Sequence, residues 1–179
     1  MADPAHAWAR AQRQATSTLQ KLLRGTAILA ALVALIIAIG APMGLFSGTR
    51  PDNLGVRDGR LTPPKRTPNN VNSQIDKSAD PEHYIEPLRY TGDARQAWAA
   101  LRKVVDGMDR VMVIKSEPNY LYAEFSTKLM RYVDDTEFYL DEKAGAIQVR
   151  SASRLGRSDF GVNRKRIESI RAKLAQSKA

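Results

Sequence analysis

The chemistry in this chain is concentrated in VRSASRLGRSDFGVNRKRIESIR, residues 149–171, where arginines are interleaved with serines before apolar residues return at helical spacing. Arginines grouped in this way are suited to holding phosphate or carboxylate through paired N–H donors. Read as a strand, Val149, Ser151 and Ser153 share one face, and Arg150, Ala152 and Arg154 share the other. Leu155-Gly156-Arg157 reads as a turn and Ser158 as the start of a helix, whose free N–H groups attract anions. Arg154, Arg157 and Ser158 are therefore a candidate anion site. Asp159 opposes that reading, because its carboxylate would occupy the same helix terminus. The competing reading is a structural ion-pair network, in which Asp134, Asp135 and Glu137 on a neighbouring strand neutralise Arg150 and the arginines beside it. Unliganded networks commonly produce such clusters, and this reading is favoured.

Other chemistry is sparse. Asp134, Asp135 and Glu137, with His83, could supply oxygen and nitrogen ligands, but their spacing is diagnostic of no particular metal, so neither a metal nor a cofactor is expected. A pair such as Asp135 and Glu137 can exchange protons in principle. The two histidines, His6 and His83, lie in no recognisable nucleophile motif. The chain has no cysteine, which excludes thiolate chemistry and disulfides. No catalytic residue is nominated, and a non-enzymatic role is expected. The segment KLMRYV, 128–133, offers Leu129, Met130 and Tyr132 as an apolar contact for a partner or a membrane surface, or else as ordinary core.

The formal charge is +9, and from Arg150 to the C-terminus nine Lys/Arg stand against Asp159 and Glu168. Arg164, Lys165, Arg166 and Arg171 make the last helix a basic surface suited to anionic lipid, nucleic acid or an acidic protein. Aromatic residues are not interleaved with these cations, so nucleic acid is not the expected partner.

The elements that must position these residues begin beyond an apolar run, TAILAALVALIIAIGAPMGLF, Thr26–Phe46, free of charge from Gly25 to Thr49. At about 1.5 Å per residue, some twenty residues cross a hydrocarbon core of about 30 Å. Two readings are open. Ala38 and Gly40 have the small-residue spacing of a signal-peptide cleavage site. Against cleavage, a long amphipathic segment precedes the run, with Trp8, Leu19, Leu22 and Leu23 among Arg10, Arg13, Lys21 and Arg24. A lipid-embedded anchor, or uncleaved signal, is therefore favoured. Lys/Arg residues are similarly frequent on both flanks, so the positive-inside rule does not orient the span. Its signal-like character favours an inner-membrane, single-pass arrangement, with residues 1–25 cytoplasmic and the remainder periplasmic.

Residues 47–82 are rich in Pro and Gly and read as a linker or strap, part of it packed on the domain beyond. Residues 83–179 read as an α+β domain. HYIEPLRY suggests an edge strand at 83–90. Asp93 caps a helix whose stripe is Ala94, Ala97, Trp98, Leu101, Val104, Val105 and Met108. Strands are expected over 111–117, 120–127, 134–140 and 146–153, the last two as a hairpin that sets Leu140 opposite Ile147, Phe138 opposite Val149 and Glu137 opposite Arg150. A final helix from Ser158 or Asp159 carries Phe160, Asn163, Ile167, Ile170 and Leu174 on one face. The expectation is an antiparallel sheet of about five strands with two helices on one face, preceded by one transmembrane helix.

The runs GTRPDNLGVRDGRL, TPNNVNSQ and YVDDTEFYLDEKAGAIQVRSASRLGRSDFGVNRKRIESIR together resemble the uncharacterised-domain family numbered 1499, found in bacterial envelopes and the thylakoid lumen. The likeness runs from about Phe46 to Leu174. The resemblance implies a compartment beyond the membrane but no reaction. It also implies two cysteines in the linker, at positions held here by Pro64 and Asn70. A thiol role could not apply to this chain. The expectation is a membrane-anchored accessory protein that binds an integral-membrane complex or the membrane surface, and the alternative is an anion-binding domain.

Overall fold

The computed structural model describes residues 4–176, which fall into two compact units divided between Met43 and Gly44. The first is built on one helix, α1, Pro4–Gly40. Within it, Gln12–Gly40 is long and apolar enough to cross a membrane. The helix stops at Gly40, six residues before the end of the apolar run, because Pro42 lies just beyond and cannot continue the hydrogen-bond ladder. Residues 41–46 form turns. Residues 22–40 are then the largely apolar stretch that remains helical, about 28 Å long by helix rise. Lys21 and Arg24 at its start have stems long enough to reach toward headgroups.

The second unit is an α+β domain. A short hairpin comes first, β1 (Val56–Arg57) and β2 (Arg60–Leu61), followed by β3 (Asn70–Asn72) and β4 (Leu88–Arg89). Helix α2 (Ala94–Asp106) leads into β5 (Val111–Ser116), β6 (Tyr120–Ser126), β7 (Val133–Asp141) and β8 (Ala146–Ser153), and α3 (Val162–Gln176) closes the chain. Strands β5 to β8 form an antiparallel meander, and β3 and β4 both pair with the free edge of β8. The β7–β8 register sets Leu140 opposite Ile147, Phe138 opposite Val149 and Glu137 opposite Arg150, as the alternation of apolar and charged residues predicts.

The helices cover one face of this sheet. Leu101 and Val105 of α2 and Ile167 and Ile170 of α3 pack with Leu121, Phe125, Phe138, Leu140, Ile147 and Val149. Asp93 caps α2, its carboxylate accepting from the Gln96 N–H at 2.8 Å, and Gly107 ends the helix by donating to the Lys103 carbonyl. The opposite face carries a smaller cluster, Leu61, Tyr120 and Tyr122, with Leu54, Val56, Ile114 and Tyr139 against it. Here the hairpin lies over the sheet, so the strap supplies part of a third layer.

Three expectations are corrected. The sheet has six strands rather than about five, plus a separate two-stranded hairpin, because the Pro/Gly-rich segment contributes β1, β2 and β3; with α1 counted, the described residues hold three helices. Asp58 and Gly59 both take positive φ, 51° and 73°, which suits the tight turn joining β1 to β2. Of HYIEPLRY only Leu88–Arg89 is strand, since Pro87 has no N–H to offer a ladder, and Tyr84 makes an isolated bridge to Asn72. Helix α3 begins at Val162, and Phe160 does not join its buried face: it is 88% exposed.

If the hairpin is part of the fold, Leu61→Ala should lower unfolding stability by about 2 kcal/mol, the low end for a buried leucine. Denaturant titration in detergent would read this, and limited proteolysis should show faster cutting between residues 50 and 70.

Candidate functional site

Two polar networks occupy opposite faces of β7 and β8, and alternation along the strands decides which residue enters which. On the strap face, Glu137 is fully buried. One of its oxygens accepts from the Gly55 N–H at 2.7 Å and from Tyr120 Oη at 2.8 Å, and the other from Arg150 Nη1 at 2.9 Å. Next to it Glu124 of β6 stands directly opposite Asp135 of β7, a like-charge pair that would repel. Arg154 removes the conflict. Its Nε lies 3.1 Å from both Asp135 oxygens, and its Nη2 is 2.7 Å from Asp135 Oδ1 and also bonded to Glu124. Arg50, from the strap, donates to Glu124 at 2.7 Å, and Tyr122 Oη lies 2.6 Å from Asp135 and 2.8 Å from Glu124.

These contacts fix protonation states. Burial pushes the Glu124 carboxyl upward, but hydrogen bonds from Arg50, Tyr122 and Arg154 outweigh it and leave the group below its ordinary value. The phenols of Tyr120 and Tyr122 are raised well above theirs, by burial first and then by the carboxylates they face, Glu137 and Asp135 respectively. A general acid or base works best with a pKa near the operating pH, and these three groups move away from it.

On the helix face the centre is Asn163, which is fully buried. Its Oδ1 accepts from Ser151 Oγ at 2.5 Å and from Arg166 Nη1 at 2.7 Å, and its Nδ2 faces the Asn69 carbonyl, Ser153 Oγ and Asp159 Oδ2 at 2.9–3.1 Å. Ser151 also meets Thr136 Oγ1 at 2.8 Å. Arg166 lies over the Phe125 ring at 4.7 Å and pairs with Asp134 at 2.5 Å, its side chain only 9% exposed. Asp159 stands just before α3 and caps it, one oxygen accepting from the Gly161 N–H and the other from the Asn163 N–H at 2.7 Å.

The sequence candidates therefore separate. Asp134, Asp135 and Glu137 do not converge on one point: each faces its own arginine, Arg166, Arg154 and Arg150. His83 is engaged elsewhere, with Nδ1 at 2.8 Å from Asp80 and Nε2 at 3.0 Å from the Thr67 carbonyl. Among the described residues no group of three His, Cys, Asp or Glu could hold a metal ion. Of the anion-site candidates, Arg154 is committed to two carboxylates, while Arg157 and Ser158 are exposed. Two further arginines of α3 are engaged at the domain surface: Arg164 donates to the Glu82 carbonyl, and Arg171 to the carbonyls of Glu86 and Pro87. Lys165 is exposed, as are Leu129 and Tyr132, at 69% and 40%, and Met130 is half-buried.

A set of amides not singled out in the sequence binds the strap to the sheet. Asn72 Nδ2 donates to the Thr62 carbonyl, Gln74 Oε1 accepts from the Leu61 N–H, and Asn69 Nδ2 donates to the Gly156 carbonyl. Asn70 accepts from the Lys65 N–H and donates back to the Lys65 carbonyl, both at 3.1 Å. It closes, without a covalent link, the loop for which the family resemblance implies a cysteine pair. The available signal was TPNNVNSQ itself, since Asn in such density serves side-chain-to-backbone bonding.

The fold and these networks define an α+β domain whose central sheet is ion-paired on both faces, following a helix able to cross a membrane. The chain belongs to the DUF1499 family, proteins of unknown function, whose model matches residues 60–174. Neither a search of curated proteins nor one of solved structures found a match.

Glu137→Ala would leave Arg150 buried without its partner and should cost about 3–5 kcal/mol, whereas Glu137→Leu combined with Arg150→Met and Tyr120→Phe should recover part of it, the Gly55 N–H still lacking its acceptor. Chemical denaturation of the two variants beside the unchanged protein would read both effects. Glu124 also sets a pH dependence. Its folded pKa is depressed, so its contribution is full above the unfolded value near 4.5 and is lost as pH falls through the folded one. Thermal melts from pH 6 to pH 2 should show a decline below about 4.5 that Glu124→Gln flattens.

Proposed function

We propose that this protein is a membrane-anchored, non-enzymatic accessory protein whose α+β domain works on the periplasmic side, against a membrane-protein complex or the membrane surface. One observation carries the reading. The groups that could do chemistry at the sheet are largely spent on one another, with the buried Arg150 Nε left without a partner, while an apolar and basic surface at one end of the domain is exposed. The helix Gln12–Gly40 supports the anchor, and the mature chain would then retain it. Membership of a family of unknown function adds no reaction to this picture.

The test is made on the full chain in its native membranes. Washing with high salt and then alkaline carbonate should leave the protein in the pellet, and its intact mass should include residues before Gly40. Release by carbonate, or a mature chain beginning just after Gly40, would overturn the anchored reading.

A further inference from the structure

The uncovered surface lies where β6 ends, β7 begins, β8 ends and α3 begins. A cleft of about 560 Å³ is lined there by Phe46, Tyr132, Leu155, Phe160 and Val162, with polar edges. Phe46 and Tyr132 stack edge-on at 6.1 Å. Phe160 is 88% exposed and Leu129 69%. The carboxylates at this end turn inward, Asp134 to Arg166 and Asp159 to the start of α3. Lys128, Arg131, Arg157 and Lys165 remain exposed around the apolar residues.

Two features distinguish this surface from an ordinary exposed edge. Phe160 takes φ 54°, a left-handed conformation uncommon for a bulky side chain, and Arg131 in the facing turn takes φ 57°. The backbone is held in an unfavourable conformation, and the result is an aromatic ring directed into solvent rather than core. Such an outlier motivates a functional hypothesis. The second feature is the tether. Phe46 lies six residues beyond Gly40, the last residue of α1, and six residues reach at most about 20 Å when fully extended. Where that helix spans a bilayer, the short connection keeps an apolar patch rimmed by cations within reach of lipid headgroups.

We infer that this face docks on an anionic bilayer surface, with Phe160 and Leu129 entering the interface and Lys128, Arg131, Arg157 and Lys165 meeting acidic headgroups. The inference rests on the anchored reading above and adds to it the surface that the domain recognises. Aromatic and aliphatic tips insert at the headgroup boundary, and nearby lysines and arginines are drawn to acidic lipid.

Because the chain has no cysteine, the test can place a single reporter. Full-length Phe160→Cys and Leu129→Cys, each carrying an environment-sensitive fluorophore, are reconstituted in vesicles of neutral phosphatidylcholine alone or with acidic phosphatidylglycerol. Lys143→Cys, in the β7–β8 turn, is the control, since it lies at the far end of β7, roughly 27 Å away at strand rise. Labels at 160 and 129 should shift to the blue and be quenched by shallow spin-labelled lipid in acidic vesicles, and the label at 143 should not. Replacing Lys128, Arg131 and Lys165 by Gln should each lower the docked-to-free ratio about fivefold. With the reporter at 129, Phe160→Ser should reduce quenching while leaving thermal unfolding unchanged, because the ring packs on little. Equal quenching at 129, 143 and 160, or none at any, would overturn the inference, and equal docking on neutral vesicles would remove the acidic headgroup from it. Loss of docking in a chain that still resists carbonate would leave the anchored reading intact.

Discussion

The β7–β8 hairpin is the constraint on which the rest of the domain depends. Its register places Glu137 against Arg150 on one face while setting Phe138 against Val149 on the other. A slip of one residue would bring Asp135 and Glu137 into the apolar core and turn Phe138 and Leu140 toward the strap. The first outcome puts unpaired charge into a dry interior and the second sets apolar side chains where Arg150 and Arg154 need carboxylates, so charge and hydrophobicity select the same alignment. Paired buried ions contribute little net stability, but removing one partner is costly. The network therefore acts mainly by penalising alternatives, and the segments that complete it are held to this hairpin.

Those segments come from far along the chain. Gly55 and Arg50 reach the strap-side carboxylates, and Asn69 meets Asn163 on the helix side. The Pro/Gly-rich stretch owes its order to these bonds rather than to a core of its own. Its strands are two or three residues long, too short to stand without the sheet. Leu61 and Val56 add some apolar burial, but the amides of Asn69, Asn70, Asn72 and Gln74 give the path its direction.

Much of the domain was legible because period and charge agreed. The stripe on α2, the alternation in β6 and the β7–β8 pairing are all consequences of local pattern. The strap was harder to read. Pro and Gly signal the absence of regular structure, and the Asp58-Gly59 turn, although a hairpin signal, is flanked by strands of two residues without visible alternation. The fate of the arginines was legible only in outline. Arg166 and Arg164 flank the exposed Lys165 in a helix whose charges are too many for amphipathicity to sort. Arg166 is drawn inward by Asp134 and Arg164 is held at the surface by the carbonyl of Glu82, neither partner adjacent in sequence.

The turn into α3 joins scaffold and surface. Asp159 must keep both oxygens on the start of the helix for Asn163 to be positioned, and Asn163 in turn orients Ser151, Ser153 and Arg166. The chain reverses between that cap and the helix at Phe160, at positive φ, and at Gly161 beside it, at φ 77°. A glycine or asparagine at 160 would satisfy the backbone with less strain. The buried network therefore explains the bend but not the aromatic ring. What the ring gains must come from outside the domain, and the helix Gln12–Gly40, long and apolar enough to cross a membrane, is the physical reason to look for its partner at a lipid surface.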